Sequence, residues 1–202
     1  MDIQGYNGST PTNIQTDGNG HLLTNQYSAK FQELTLTGKV YTVSNQTGIT
    51  TQAGLSATTP ALTLYNPSGS GVNGVLLYAG CVNSVAFAAA SVIWLGFNAN
   101  VVAAAVSGTL TTAHRNNLLG GASSNALQAL LAATLPAAPV AGPIIGVGLT
   151  GAITTIPQLN TMGRWFEGGI IIAPGTAISF QTSTASGASG FFGEFIWAEV
   201  EQ

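Results

Sequence analysis

Few side chains in this 202-residue sequence could carry out nucleophilic chemistry. A nucleophile needs a base and an orienting group within hydrogen-bonding reach. The two histidines are His21, in a polar stretch near the start, and His114, which precedes Arg115. We interpret His114 and Arg115 as an exposed loop pair that bonds a neighbouring molecule. Cys81 is the single cysteine and lies in an apolar run without a nearby base. We therefore predict that it is a small buried apolar residue.

Paired carboxylates are the second kind of catalytic group that the sequence could supply, because glycosidases need two of them. Glu194 and Glu199 are five residues apart, an odd interval that puts them on opposite faces of a regular strand. Glu199 and Glu201 share a face near the chain end, where we expect both to be solvated. Residues 34–166 contain no acidic residue. The sequence therefore predicts a protein that is not an enzyme.

A glycine-rich stretch matches the dinucleotide-binding pattern G-x-G-x-x-G. The match runs from Gly69 to Gly74, and the residues after it, 75–78, are typical of a strand. The pattern binds a pyrophosphate when a helix follows the glycines. We therefore predict a loop here, with no cofactor. A single cysteine and two distant histidines likewise predict no metal site.

The charge content is the most unusual property of the chain. Four basic and seven acidic residues make up 5% of it, against about 25% in an ordinary soluble domain. Residues 40–163 contain one charged side chain, Arg115. Nucleic-acid binding needs clustered basic residues, so we predict none. Soluble proteins use surface charge to stay apart, so this pattern indicates a subunit that packs against copies of itself and other proteins.

A membrane protein is the alternative explanation of so few charges. The most apolar window, residues 85–97, is 13 residues long and contains Ser91, whereas a spanning helix needs about 20 apolar residues. A second window, residues 126–156, is interrupted by three prolines. We therefore predict no membrane partner. The first residues, MDIQ, have neither a basic nor an apolar segment, so we also expect no signal peptide.

From residue 31 onward, short apolar runs alternate with turn residues, which predicts eight to ten strands and an all-β antiparallel sandwich or barrel. Leu34 and Leu36 alternate with polar residues and are included as a strand. The other predicted strands are residues 40–43, 61–65, 74–85, 90–97, 144–153, 169–173, 177–181 and 191–200. Residues 124–133 are rich in helix formers and follow an N-cap candidate at Ser124, so we predict a short helix there.

Residues 1–30 differ in composition from the rest, and we predict an N-terminal arm followed by one domain, residues 31–202. Within the arm, residues 17–20 have the sequence DGNG, which predicts a tight turn between short strands at 14–16 and 21–23.

The three tryptophans are the large aromatic side chains to be placed. We predict that Trp94 and Trp197, which lie in apolar runs, belong to the core. For Trp165 we expect an interface position, with a sugar-binding platform as the alternative.

Several segments resemble structural proteins of tailed bacteriophages. GYNG at residues 5–8, followed by residues 14–22, is similar to a short leader of such proteins. Residues 168–177 and 195–199 resemble the closing strands of jelly-roll virion proteins, and the similarity includes LYNP at 64–67. The resemblance covers about a third of the chain. It implies a jelly-roll capsid cement or decoration protein, forming trimers on the outer capsid surface, with an arm on the major capsid protein.

The function predicted from these observations is a virion protein that cements or decorates the capsid. The alternative is a receptor- or glycan-binding head of a tail or capsid fibre. The arm residues expected to bind the major capsid protein are Ile3, Tyr6, Ile14 and Leu22. The residues expected at the interface between subunits are Arg164, Trp165, His114 and Arg115.

Overall fold

The computed structural model describes residues 30–99, 106–110, 115–121, 125–148, 150, 162–186 and 189–202, and the backbone of residues 4–7 and 10–13. The chain divides into two compact units, Met1–Glu33 and Leu34–Gln202. The first unit contains an antiparallel hairpin of β1 (Gln4–Asn7) and β2 (Thr10–Asn13). The sequence analysis predicted no strand in residues 4–13. The strands expected at 14–16 and 21–23, and the turn between them, lie outside the described residues.

The strand expected around Leu34 and Leu36 is wrong, because these residues form a short helix, α1 (Gln32–Leu36). Gln, Glu and Leu are good helix formers. The helix ends at Leu36, and Gly38, two residues later, has a φ of 71° and donates its N–H to the carbonyl of Thr35 at 2.9 Å. Glycine tolerates this left-handed conformation, which is common just after a helix.

The described residues of the second unit form eleven strands. They are β3 (Val40–Ser44), β4 (Thr63–Asn66), β5 (Val72–Asn83), β6 (Ser91–Asn98), β7 (Ser107–Leu110), β8 (Arg115–Asn116), β9 (Gln128–Thr134), β10 (Val140–Gly148), β11 (Met162–Ile172), β12 (Thr176–Thr182) and β13 (Phe191–Glu201). A five-stranded sheet has the order β11-β5-β13-β3-β8, and a six-stranded sheet has the order β10-β6-β12-β4-β9-β7. Every pairing between these strands is antiparallel. The predicted antiparallel β-sandwich is confirmed, and its jelly-roll subtype stays a prediction.

The core lies between the two sheets and is built from alternate residues of their strands. Phe195 and Trp197 of β13 project inward and are fully buried, as is Phe180 of β12. The rings of Phe180 and Phe195 stack at 4.7 Å across the interface between the sheets. Burial of each such side chain contributes about 1.5–3 kcal/mol. Trp197 and Cys81 are therefore core residues, as predicted.

The helix predicted over residues 124–133 is wrong. Most of this segment is β9, which pairs with β4 through Leu130 opposite Thr63. Ala129 projects toward the core, and Leu130 packs in a second apolar cluster with Tyr65. Pairing and burial on both faces of the sheet outweigh the helix propensity of alanine and leucine.

The outer face of the six-stranded sheet is partly covered by the chain itself. Gln181 of β12 is buried there, and its Oε1 accepts the backbone N–H of Ser56 at 3.0 Å. Thr182 donates its hydroxyl to the carbonyl of Gln52. Trp94 lies on this outer face beside Gln181 and is half-buried, so its predicted core position is wrong. The segment around residues 52–58 therefore covers the middle of this sheet.

Candidate functional site

The outer face of the five-stranded sheet is apolar, and part of it is open to solvent. Alternation along β5 and β13 directs Tyr78, Phe192 and Ile196 to this face, where each is half-buried. On the edge strand β11, Trp165 is 58% exposed and Ile171 is 53% exposed. Large apolar side chains gathered on one exposed surface are typical of an interaction site.

Two glycines determine how Tyr78 lies on this face. Gly80 follows it by two residues on β5, and Gly163 of β11 pairs with Gly80. A Cβ at Gly80 would lie 2.5 Å from the Tyr78 hydroxyl, and a Cβ at Gly163 would overlap that hydroxyl. The tyrosine ring therefore lies across the sheet in space that these glycines leave open.

Trp165 borders the tyrosine ring on the edge-strand side. The two residues are directly paired, and their ring centroids are 4.9 Å apart with an interplanar angle of 50°. After Trp165 the register with β5 shifts, so that Phe166–Gly169 bulge out of the strand before Ile170 pairs with Leu76. Glu167 has a φ of 53° within this bulge. Because the bulge ends regular pairing, it sets Trp165 at the rim of the sheet.

Glu194 of β13 borders the tyrosine ring on the other side, since it pairs with Gly80. Its side chain is half-buried, and this burial raises the pKa of its carboxyl group. Burial and then the Glu194 charge raise the pKa of Tyr78, which places the two groups within electrostatic reach. Glu194 forms no hydrogen bond or ion pair with the described residues. We call Tyr78, Trp165 and Glu194 the aromatic notch.

The notch borders a depression of about 250 Å³, which Phe192, Val82 and Ser44 also line. A carboxylate next to an aromatic ring can bind a cation, because the ring face and the carboxylate both attract positive charge. Flat aromatic rings beside a hydrogen-bonding group can also take a sugar. The arrangement supports binding through the Tyr78 ring and the Glu194 carboxylate, which both line this depression.

The four residues predicted at the subunit interface are not gathered in one cluster. Trp165 and Arg164 lie on edge strand β11, and their side chains alternate between its two faces. The Arg164 guanidinium lies over the ring of Phe166, 5.4 Å from its centroid. Arg115 is exposed on β8, at the opposite edge of the same sheet. His114 lies outside the described residues.

The residues predicted for capsid binding cannot be placed as a surface. Ile3, Ile14 and Leu22 lie outside the described residues. Tyr6 belongs to β1, where it pairs with Pro11, and only its backbone is described.

Glu199 is a buried carboxylate that the sequence analysis wrongly expected to be solvated. It is 9% exposed, and its two oxygens accept the backbone N–H groups of Ala126 and Leu127 at 2.9–3.0 Å. The indole N–H of Trp197 donates to it at 3.3 Å. These donors occupy the carboxylate, so its role is structural. Glu194 lies on the opposite face of β13, as the odd interval predicts.

Cys81 is also structural. Its side chain is buried in the core between the sheets. Burial raises the pKa of its thiol to about 12, so the thiolate is not formed at neutral pH. Nucleophilic and metal-binding cysteines need a stable thiolate.

Neither a metal site, a membrane helix nor a similar protein assigns a function to this chain. No three His, Cys, Asp or Glu side chains of the described residues lie close enough together to hold a metal ion. The described part of the chain also contains no helix with the length and apolar character needed to cross a membrane. No family model, curated protein or solved structure matches this chain.

Proposed function

We propose that this chain is a non-enzymatic structural protein of a phage virion, which cements or decorates the outer capsid surface by binding the major capsid protein. In this proposal the β-sandwich packs against copies of itself, as a trimer, and the N-terminal arm binds the shell. The proposal combines the resemblance of the sequence to virion proteins with the surface of the folded domain.

The exposed apolar face of the five-stranded sheet is the observation that carries the proposal. Trp165 and Ile171 are more than half exposed on it, next to the half-buried Tyr78 and Ile196. Aromatic and aliphatic side chains in such a patch contribute most of the binding free energy of protein interfaces. On the six-stranded sheet the chain itself covers the middle of the outer face, and exposed apolar side chains such as Ile144 lie on the edge strand β10.

The low charge of the chain supports the same conclusion. Burying an unpaired charged group in an interface costs free energy, since the group loses its hydration. An assembly face made of Thr, Ser, Gly and apolar residues avoids this cost. Glu194 lies on the exposed face, so a partner that covers this face would have to supply a positive charge or hydrogen-bond donors for its carboxylate.

The first test is self-association of the purified full-length chain, measured by sedimentation equilibrium over a range of concentrations. We expect oligomers whose mass falls on dilution, and we expect Trp165→Ser and Ile171→Ser to weaken them. Ile144→Ser is the matched control, because Ile144 is 61% exposed on the other sheet. A wild-type chain that is monomeric at every concentration would contradict the proposed self-association. Co-sedimentation with capsid shells that lack the chain then tests the capsid part.

A receptor- or glycan-binding head is the second candidate, favoured by the aromatic notch. Tyr78 and Trp165 offer adjacent rings, and Glu194 offers a hydrogen-bond acceptor beside them. Glycan-array binding that is lost in Trp165→Ala and kept in Ile144→Ala would support this candidate. If the wild-type chain binds no glycan on the array and still self-associates, the result favours the proposed structural role over a glycan-binding role.

A further inference from the structure

The chain between β3 and β4 crosses from one sheet to the other and lines a second depression at the crossing. Ile49 forms a bridge with Phe191 of the five-stranded sheet, and Thr58 forms a bridge with Thr134 of the six-stranded sheet. The depression has a volume of about 340 Å³ and shares no lining residue with the aromatic notch. Small-molecule sites commonly occupy about 300–1,000 Å³.

Two residues of this depression hold a backbone conformation that normally belongs to glycine. Thr59 has a φ of 47° and Ala132 has a φ of 48°. A β-branched residue rarely adopts this left-handed conformation, and the proline that follows Thr59 favours an extended residue before it. Ala132 lies in a bulge of β9, where it and Ala133 together oppose Gly108 of β7. Such a bulge usually has glycine at its left-handed position.

The two strained residues are neighbours in space. Thr59 donates its backbone N–H to the carbonyl of Ala133, the residue after Ala132, at 2.7 Å. Among the described residues, the third non-glycine residue with a positive φ is Glu167, on the edge strand β11. Backbone strain of this kind clusters at functional sites, where the surrounding structure maintains it for a purpose. Two such residues on one wall therefore indicate that the wall has a use.

The depression is neutral and combines apolar surface with hydrogen-bonding groups. None of the described residues that line it is charged. Ile49, Pro60 and Leu131 supply aliphatic surface, and Thr59 and Gln52 supply a hydroxyl and an amide. Within the fold, Thr59 and Gln52 form hydrogen bonds through backbone atoms, which leaves their side chains for a ligand. A hydroxyl and an amide can both donate and accept, as the hydroxyl groups of a sugar require.

We propose that this depression binds a neutral sugar unit, with Thr59 and Gln52 hydrogen-bonded to its hydroxyl groups and its C–H face against the aliphatic wall. The left-handed backbone at Ala132 holds that wall in place. This inference adds a ligand-binding function to the proposed structural role and does not depend on self-association. A charged sugar acid should bind more weakly than the matching neutral sugar, because the depression offers its carboxylate no opposite charge.

Saturation-transfer NMR of the full-length chain with glucose, galactose, mannose and N-acetylglucosamine tests the proposal. We expect a Kd on the order of millimolar for at least one of them. Gln52→Ala and Thr59→Gly should each weaken binding by about tenfold, since each removes a hydrogen bond. Ala132→Gly should weaken it by about threefold without lowering the melting temperature, because glycine relieves the strain but loosens the wall.

Glu167→Gly is the matched control, because it removes the same kind of backbone strain outside the depression and should leave sugar binding unchanged. Equal weakening by Glu167→Gly and Ala132→Gly would overturn the role of the strained wall. A glycan array, used in parallel, distinguishes the two sources of the ligand. Binding to the array indicates a surface glycan, and binding to monosaccharides without the array indicates a free sugar.

Trp165→Ala separates this depression from the aromatic notch. Binding that is lost in Trp165→Ala and kept in Gln52→Ala would place the sugar in the notch and overturn this inference. Absence of binding to every sugar tested, in solution and on the array, would also overturn it. A monomeric wild-type chain that binds sugar would contradict the proposed self-association and leave the sugar site standing.

Discussion

The carboxylate of Glu199 accepts the backbone N–H of Leu127 at 3.0 Å, which ties the start of β9 to the last strand of the protein. The neighbouring N–H of Ala126 donates to both oxygens of the same carboxylate, and the indole of Trp197 donates to one of them. The backbone N–H groups of Ala126 and Leu127 are thus satisfied by a side chain from the other sheet. The carboxylate fastens the two sheets at this end of the core.

Removal of Glu199 should therefore destabilise the fold. Glu199→Ala leaves these buried donors without a partner, and we expect the free energy of unfolding to fall by about 2–4 kcal/mol. Glu201→Ala is the control. Its side chain is 82% exposed and pairs with Lys39 at the surface, where such a pair contributes about 0–1 kcal/mol. Urea unfolding measures both variants, and equal losses in the two would show that the buried bonds contribute little.

The sequence predicted the sandwich because its central strands follow simple patterns. β5, β6, β12 and β13 are apolar runs bounded by turn residues, and the predicted bounds differ from the observed ones by at most two residues. The error at residues 124–133 occurs where local preference and tertiary pairing disagree. Leucine and alanine in β9 favour a helix locally, yet a place beside β4 turns them into a strand.

The notch was only partly predictable. Trp165 was predicted at an interface because tryptophan often dominates interface energetics. Its contact with Tyr78 depends on the register between β5 and β11, which no local pattern determines. The burial of Glu199 could have been predicted. It follows Phe195 and Trp197 at intervals of two, and this alternation places it on the buried face of β13. The sequence analysis instead expected Glu199 to be solvated, because it lies near the chain end.

Cys81 should be unreactive in the native protein. Because burial raises the pKa of its thiol to about 12, almost no thiolate exists at pH 7–8. We expect a disulfide reagent such as dithionitrobenzoate to leave the folded chain unmodified and to label one thiol per chain in urea. Rapid labelling of the folded chain without urea would contradict the core position.

Tyr78 depends on Gly163 for its place in the notch. A Cβ at Gly163 would overlap the tyrosine hydroxyl, so Gly163→Ala should displace the ring, weaken self-association and lower stability by about 1–3 kcal/mol. Repeating the substitution in a Tyr78→Ala background supplies the control, because there the added methyl group has room. An equal loss in both backgrounds would mean that Gly163 matters for the backbone and not for the ring.

The stability of the monomer should depend on pH through Glu194. Burial raises the pKa of its carboxyl group in the folded state, so the folded chain holds this proton to higher pH than the unfolded chain does. Stability contributed by this group is therefore lost as pH rises from the ordinary pKa of glutamate through the raised one. Glu194→Gln should raise the melting temperature relative to wild type at pH 7 more than at pH 3.5.

The melting temperatures are measured in dilute samples, so that self-association does not contribute to them. Glu201→Gln is the control variant. That variant loses an exposed pair with Lys39 and should show no gain at pH 7. If Glu194→Gln changes the melting temperature equally at both pH values, burial of the Glu194 carboxylate does not affect stability and the prediction is wrong.

Deletion of residues 1–24 should separate folding from capsid binding. Both sheets lie within Leu34–Gln202, a compact unit with its own core, so the shortened chain should melt like the full-length protein and form the same oligomers. We expect it to lose co-sedimentation with capsid shells, because in the proposed function many weak arm contacts together hold the full-length protein on the lattice.

A substitution on the outer face of the five-stranded sheet is the control for the deletion of the arm. Trp165→Ser leaves residues 1–24 intact, so it should weaken self-association and still bind shells, at reduced occupancy because fewer arms are joined in each oligomer. If the shortened chain occupies shells as fully as the full-length protein, the arm is not the capsid contact. The exposed face of the five-stranded sheet would then be the surface to test against the shell.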